Sequence, residues 1–260
     1  MTWIPGARRR PRAAPLPPPT EHLPPRVREL LEQHLAGGAP YGWFEPAYGL
    51  ARNEGVGLPW VHATPHPFLL DWLASPVTTP RGDRAAVVGC GLGDDAAALA
   101  DAGYQVTAFD VAPTAVAWAA ERFGDRVTTR VADLLEPEDD LQGAFDLVVE
   151  VHTVPWLPGV VRDAAMAASG ELLRPGGVLL VITMLAAERS VLEGATGPPW
   201  PQAPSELASY RSTGLVRVAL EHADPGPDGC FEARLTFQRP HGNPSAAAAL
   251  PTIGGPSVVL

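Results

Sequence analysis

Lysine is missing from this chain of 260 residues, and all 19 of its basic residues are arginine. With Ala, Gly and Pro so abundant, we read this as the codon usage of a GC-rich genome rather than as chemistry. Cysteine is scarce as well, and one of the two, Cys90, sits in a glycine loop that a disulfide would distort. No disulfide framework is therefore expected, and the setting read from the sequence is a reducing cytoplasm. No apolar run approaches the ~20 residues of a membrane span. Arg8-Arg9-Arg10 has no apolar stretch after it, so a secretory or twin-arginine signal is not expected. Positive charge is the minority sign, with 29 acidic residues giving a net charge of -10. A phosphate backbone needs the opposite surface, which argues against nucleic acid as a partner. The acidic run Glu136 to Asp140 lacks His or Cys neighbours, so it reads as a solvated loop and no metal is expected.

The 46% hydrophobic content suffices for one buried core. The sequence divides into a Pro- and Arg-rich leader (1–25) expected to be disordered, a folded unit (26–239) and a disordered tail (240–260). Within the folded unit, residues 26–80 are expected to form an N-terminal lid and 81–239 the core. Val27, Leu30, Leu31 and Leu35 recur at helical spacing and stop at Gly37-Gly38, predicting a helix over 26–35. An aromatic segment, 41–73, follows and ends in a short helix over 67–73. Strand and helix signals then alternate, with strands predicted over 85–89, 106–110, 127–132, 145–151 and 178–184 and helices over 95–102, 114–123 and 160–173. Two further strands, 215–222 and 230–238, are separated only by a Pro/Gly turn, too short for a crossover helix. The predicted fold is α/β: a Rossmann-like, mostly parallel seven-stranded sheet with an antiparallel last strand, helices on both faces and an N-terminal helical, aromatic lid.

The most informative stretch is Val87-Val88-Gly89-Cys90-Gly91-Leu92-Gly93-Asp94-Asp95. Glycines here permit a sharp strand-to-helix turn and let a ligand approach bare backbone. Asp110 ends the next strand about twenty residues later, where Rossmann-like folds hold a ribose. With Ala132-Asp133-Leu134, Phe145-Asp146-Leu147-Val148-Val149-Glu150 and Leu173-Arg174-Pro175-Gly176-Gly177, these marks resemble the class I S-adenosylmethionine-dependent methyltransferases over residues 40–239. A narrower resemblance, to the thiopurine, thiol and halide branch, rests on Gly57-Leu58-Pro59-Trp60, the non-acidic Val88 and Glu150. Val151-His152-Thr153-Val154 departs from the thiopurine pattern, so the branch is carried over without its substrate.

The resemblance implies S-adenosylmethionine as cofactor, with Gly89, Cys90, Gly91 and Gly93 under its methionyl part. Asp110 would bind the ribose hydroxyls, Val111 would offer an apolar surface to the adenine face, and Asp133 and the Leu134 backbone would address its polar edge. Glu150, at the carboxyl end of its strand, is a further cofactor-binding and catalytic candidate. His152, like His62 and His66, is a candidate general base because imidazole titrates near neutral pH. Trp43, Trp60, His62 and Trp156, with Trp200, are candidates for the substrate pocket, since aromatic faces can steady a sulfonium cation. Asp94 and Asp95 are expected to cap a helix, and residues 197–201 to form a flap or a plain linker. The expected reaction is methyl transfer to a small-molecule acceptor, with a thiol or other soft nucleophile as candidate. A nicotinamide-dependent oxidoreductase also wants glycines and an acid at the second strand, but the third glycine comes one residue too early for it. A non-catalytic S-adenosylmethionine-binding protein is the remaining alternative.

Overall fold

The computed structural model describes residues 8–10, 23–187 and 197–241, the first three as backbone only. The core is a single sheet in the order β1-β7-β8-β6-β5-β2-β3-β4. Its strands are β1 (Arg8–Arg10), β2 (Arg84–Val88), β3 (Gln105–Asp110), β4 (Thr128–Val131), β5 (Phe145–Val151), β6 (Leu173–Ala186), β7 (Val216–Ala223) and β8 (Cys230–Gln238). The helices are α1 (Pro25–Ala36), α2 (Phe44–Glu54), α3 (Pro67–Ala74), α4 (Asp94–Asp101), α5 (Pro113–Phe123) and α6 (Gly159–Glu171). The seven expected strands are all present, and β8 runs antiparallel to both β6 and β7.

Side-chain alternation explains how this sheet buries both faces. Ala85, Val87, Leu147, Val149, Val178, Leu180 and Ile182 face a layer that includes Phe68, Leu69 and Trp72 of α3 and Ala96 and Leu99 of α4. Ala86, Val88, Val148, Leu179 and Val181 point the other way, toward Ala165 and Met166 of α6 and toward Leu207 and Tyr210. Five consecutive residues of β6, Val178 to Ile182, are fully buried, and each contributes roughly 1.5–3 kcal/mol of transfer free energy. A third cluster joins Leu23, Val27, Leu31, Trp43, Ala47, Tyr48 and Leu58 to Leu92 and Trp156. It ties the N-terminal segment to the loops that leave the carboxyl ends of the parallel strands.

The leader expectation needs correcting at two places. Arg8–Arg10 pairs in parallel with Glu221, His222 and Ala223, adding an eighth strand at the sheet edge. An edge strand presents unpaired N–H and C=O groups that accept any extended neighbour, whatever its composition. Leu23, also assigned to the leader, is 1% exposed in the third cluster. The rest of the leader, 1–7 and 11–22, and the tail from 242 onward lie outside the described residues. Two further differences concern element boundaries. α2 was not anticipated inside the aromatic segment; it ends at Gly55 in the left-handed region, φ 71°. The Arg174-Pro175-Gly176-Gly177 turn is a bulge within the long strand β6, where the register to β5 jumps between Phe145 and Leu147.

Candidate active site

Along the carboxyl edge of the sheet, the order β8-β6-β5-β2-β3-β4 fixes which side chains become neighbours. Glu232 opens β8 and pairs across from Met184 of β6, His152 follows β5, the glycine loop follows β2, Asp110 ends β3 and Asp133 follows β4. With strands ~4.8 Å apart, Asp110 and His152 stand roughly 10 Å from each other along this edge. A cavity of about 550 Å³ opens there, roofed by residues of the aromatic segment. It is lined by Gly89, Cys90, Gly91, Asp110, Val111, Asp133 and Leu134 on one side and by Trp60, His62, His66, His152, Trp156 and Glu232 on the other.

The β2–α4 loop is built for close approach to its backbone. Gly89 and Gly91 have φ of 58° and 51°, accessible to glycine at little cost. A β-carbon on Gly89 would stand 2.6 Å from Thr153 Oγ1, and Thr153 itself donates to Val88 O at 3.1 Å. Asp110 is held by two backbone donors: Gly91 N–H donates to Oδ2 and Ala112 N–H to Oδ1, both at 2.9 Å. Burial raises its pKa, and these N–H groups work against that rise. Each oxygen still has a lone pair for an incoming hydroxyl. Asp133 accepts from Leu135 N–H at Oδ1 and from the Tyr41 hydroxyl at Oδ2, 2.8 Å in each case. The hydrogen bond to Asp133, with burial, lifts the Tyr41 phenol to about 12, so it stays a donor.

On the far side of the cavity, Glu232 Oε1 receives two imidazoles, His152 Nε2 at 2.7 Å and His66 Nε2 at 2.9 Å. Burial alone would raise the Glu232 carboxyl. The paired histidines outweigh it and hold the group well below the usual carboxylate range. Among the described residues, these three are the one set spaced to hold a metal ion, their candidate atoms lying within 4.8 Å of one another. His66 argues against that use. Its Nδ1 accepts from Phe68 N–H at 3.2 Å as the N-cap of α3, which puts the proton on Nε2, the nitrogen that would have to bind the metal.

Several sequence expectations are revised. Glu150 does not line the cavity: it is fully buried on the α6 face, with Oε2 accepting from Tyr210 at 2.7 Å and Oε1 from Val154 N–H at 3.2 Å. Its position at the strand end was read correctly, but pleating turns it inward beside Val148. Trp43 is likewise interior, stacked on Phe44 at 4.2 Å behind Trp60, and is not a wall of the cavity. Trp200 is turned away; its ring lies 5.9 Å from the Arg162 guanidinium, and its backbone N–H donates to Pro155 O. Pro199 alone of residues 197–201 lines the cavity. Gly93 lies behind the cavity wall, where a β-carbon would meet Ala119 and Phe123 of α5 at 3.1 Å. Asp94 and Asp95 stand in the first turn of α4 as expected, where their charge meets the positive end of the helix dipole, though neither caps it through a side-chain hydrogen bond: Asp94 pairs with Arg122, and Asp95 accepts from His66 N–H at 2.7 Å. Glu232 and Tyr41 were not anticipated. The signal for Glu232 was a charge alternating with the apolar residues Phe231, Ala233, Leu235 and Phe237 of its strand.

Comparison with known proteins places this geometry. A family profile described as a methyltransferase domain matches residues 86–177, which span β2 to the bulge of β6. Over these residues the chain is similar to the methyltransferase domain, and its fold is that of S-adenosylmethionine-dependent methyltransferases. Among curated proteins, the chain is 34% identical over 122 residues to a ubiquinone biosynthesis O-methyltransferase of Xanthomonas campestris, covering 46% of this chain and 50% of that one. It thus spans half the length of that relative. A probable thiol methyltransferase of Arabidopsis thaliana is 28% identical over 185 residues, 68% of this chain and 72% of the relative. The fold is shared with a protein solved in work on the conversion of a disulfide bond into a thioacetal group during echinomycin biosynthesis, with TM-score 0.61, 22% identity and coverage of 78% and 96%. It is also shared with a Burkholderia thailandensis 1,6-didemethyltoxoflavin N1-methyltransferase holding S-adenosylhomocysteine, with TM-score 0.51, 21% identity and coverage of 88% and 94%. The cofactor of the family, S-adenosylmethionine, suits the residues present. They supply a bare glycine turn, a buried carboxylate already oriented by backbone donors, and a second carboxylate one strand further on. No helix among the described residues is long and apolar enough to cross a membrane.

Proposed function

We propose that this chain transfers a methyl group from S-adenosylmethionine to a small-molecule acceptor, with a thiol or similar nucleophile as the favoured class. The observation that carries the proposal is one continuous cavity joining the anchored Asp110 to a wall of Trp60, Trp156 and histidines. The bound sulfonium supplies an electrophilic methyl carbon. Asp110 would accept from the ribose hydroxyls, and Gly89, Cys90 and Gly91 would offer backbone to the methionyl part. Val111 would cover the adenine face, and Asp133 and Leu134 would meet its edge. Val88 leaves no acid at the end of β2, so backbone carbonyls of the loop would hold the cofactor's amino group.

Methyl transfer needs acceptor, carbon and sulfur nearly in line and water kept out, and positioning provides most of the rate. Trp60 is fixed for this role by its Nε1–H donating to Tyr48 at 3.0 Å and by an edge contact with Trp156 at 4.7 Å. The thiol and O-methyltransferases among the relatives support a sulfur or oxygen acceptor. The net negative charge and the cysteine usage support a cytoplasmic enzyme that takes a small molecule rather than nucleic acid. The test is formation of S-adenosylhomocysteine when the full chain is incubated with S-adenosylmethionine and a panel of thiols, phenols, alcohols and amines. Turnover of at least one acceptor above the enzyme-free rate is expected. Binding without turnover over the whole panel would favour a non-catalytic binding protein.

A further inference from the structure

Three histidines line the cavity, and the hydrogen bonds around them single out one. His66 has both ring nitrogens engaged, by Phe68 N–H and Glu232. His62 is exposed and has no carboxylate partner among the described residues. His152 commits only Nε2, to Glu232 at 2.7 Å, and its Nδ1 bonds no described residue. An Nε2–H held by a carboxylate fixes the neutral tautomer with its lone pair on Nδ1, the arrangement a general base requires. His152 also adopts φ 53°, unusual for a residue with a side chain, and its N–H donates to Ile182 O at 2.8 Å. Such conformations persist where the surroundings enforce them, often at functional sites.

We propose that His152 is the general base of this reaction and Glu232 its positioning residue, so that the acceptor is a weakly acidic S–H or O–H compound that enters protonated. This rests on the methyltransferase reading above. The acceptor's X–H bond breaks, its proton going to His152 Nδ1 and its electron pair forming the new X–C bond. The methyl–sulfur bond breaks with its pair retained by sulfur. Positive charge thereby passes to the imidazolium, which faces Glu232. The other ionisable groups facing His152 are His66, with ring centroids 5.4 Å apart, and Asp95 on α4, whose carboxylate interacts with the His152 charge.

The test uses the full chain, with Glu232→Gln, Glu232→Leu and His152→Ala. Calorimetric binding of S-adenosylhomocysteine to each variant, expected within about twofold of the wild type, verifies folding and isolates the parent reading; loss of binding by the wild type would sink that reading. The first readout involves no turnover. In 15N-edited NMR, the wild-type His152 ring is expected to carry its proton on Nε2, and Glu232→Leu to mix the tautomers. The second uses acceptors of graded acidity: benzyl mercaptan, phenol and the already ionised 4-nitrothiophenol. His152→Ala is expected to lose at least a hundredfold in kcat/KM on whichever of the first two is a substrate, and under tenfold on 4-nitrothiophenol. Glu232→Gln is expected to move the acid limb of the pH profile to lower pH. Equal losses on all acceptors, an unmoved limb, or activity confined to amines would overturn the inference while leaving methyl transfer intact. So would stoichiometric zinc binding that His66→Ala abolishes, since it would mark the three residues as a metal site.

Discussion

Replacing Glu150 by Gln isolates a buried carboxyl whose cost can be worked out. Glu150 is fully buried. Desolvation raises it from 4.5 to about 7, against the opposing hydrogen bonds from Tyr210 and Val154 N–H. The folded state therefore holds this proton more tightly than the unfolded chain does. Its stabilising contribution is complete below pH 4.5 and is lost as pH rises through about 7. At 1.36 kcal/mol per pH unit, the loss across that window is on the order of 3 kcal/mol. A glutamine does not titrate, and its carbonyl can keep the Val154 N–H. Its amide N–H₂ obliges the Tyr210 hydroxyl to accept instead of donate. Urea denaturation of both proteins from pH 4.5 to 8.5 should show the difference in stability, variant minus wild type, climbing by about 2–3 kcal/mol across the window. Parallel profiles would refute the argument. The same variant should bind S-adenosylhomocysteine unchanged, because the carboxyl lies outside the cavity.

Three further outcomes are expected. Gly93→Ala puts a β-carbon against Ala119 and Phe123 at φ 83°, which should cost about 2 kcal/mol and lower Tm by roughly 4–8 °C in a thermal melt. Arg234→Met removes the buried guanidinium that pairs with Glu221 and donates to Phe68 O. Denaturant titration should find it destabilised by about 3–5 kcal/mol, with much of the loss recovered in the double variant that also carries Glu221→Gln. Tyr41→Phe frees Asp133 Oδ2 and should leave stability within about 1.5 kcal/mol while changing adenosine affinity, read by calorimetry.

The parts of this protein visible from sequence are those governed by local pattern. The apolar runs of Ala85–Val88 and Leu147–Val149, the glycine loop, and an acid closing β3 each declare themselves within a few residues. Helix α2 was hidden because Pro46 and Gly49 interrupt Phe44, Ala47, Tyr48 and Ala51, which do recur at helical spacing. Glu150 was misjudged because the end of a strand points to the ligand edge only for one of the two faces, and the packing of α6 and Tyr210 decides which. Glu232 was out of reach for a different reason. It meets His152 across 80 residues of sequence, and only the antiparallel return of β8 beside β6 brings the start of that strand to the carboxyl edge. Arg8–Arg10 shows the limit of composition, since backbone pairing at a sheet edge needs no apolar side chain.

The central claim is that the glycine turn and Asp110 together grip the adenosyl sulfonium. Calorimetric titration of S-adenosylhomocysteine into the wild type and Asp110→Ala tests it most directly. The wild type should bind one equivalent, and the variant should bind at least tenfold more weakly, about 1.4 kcal/mol or more for lost hydrogen bonds to a charged acceptor. No binding heat in the wild type, or equal affinity in the two proteins, would contradict it.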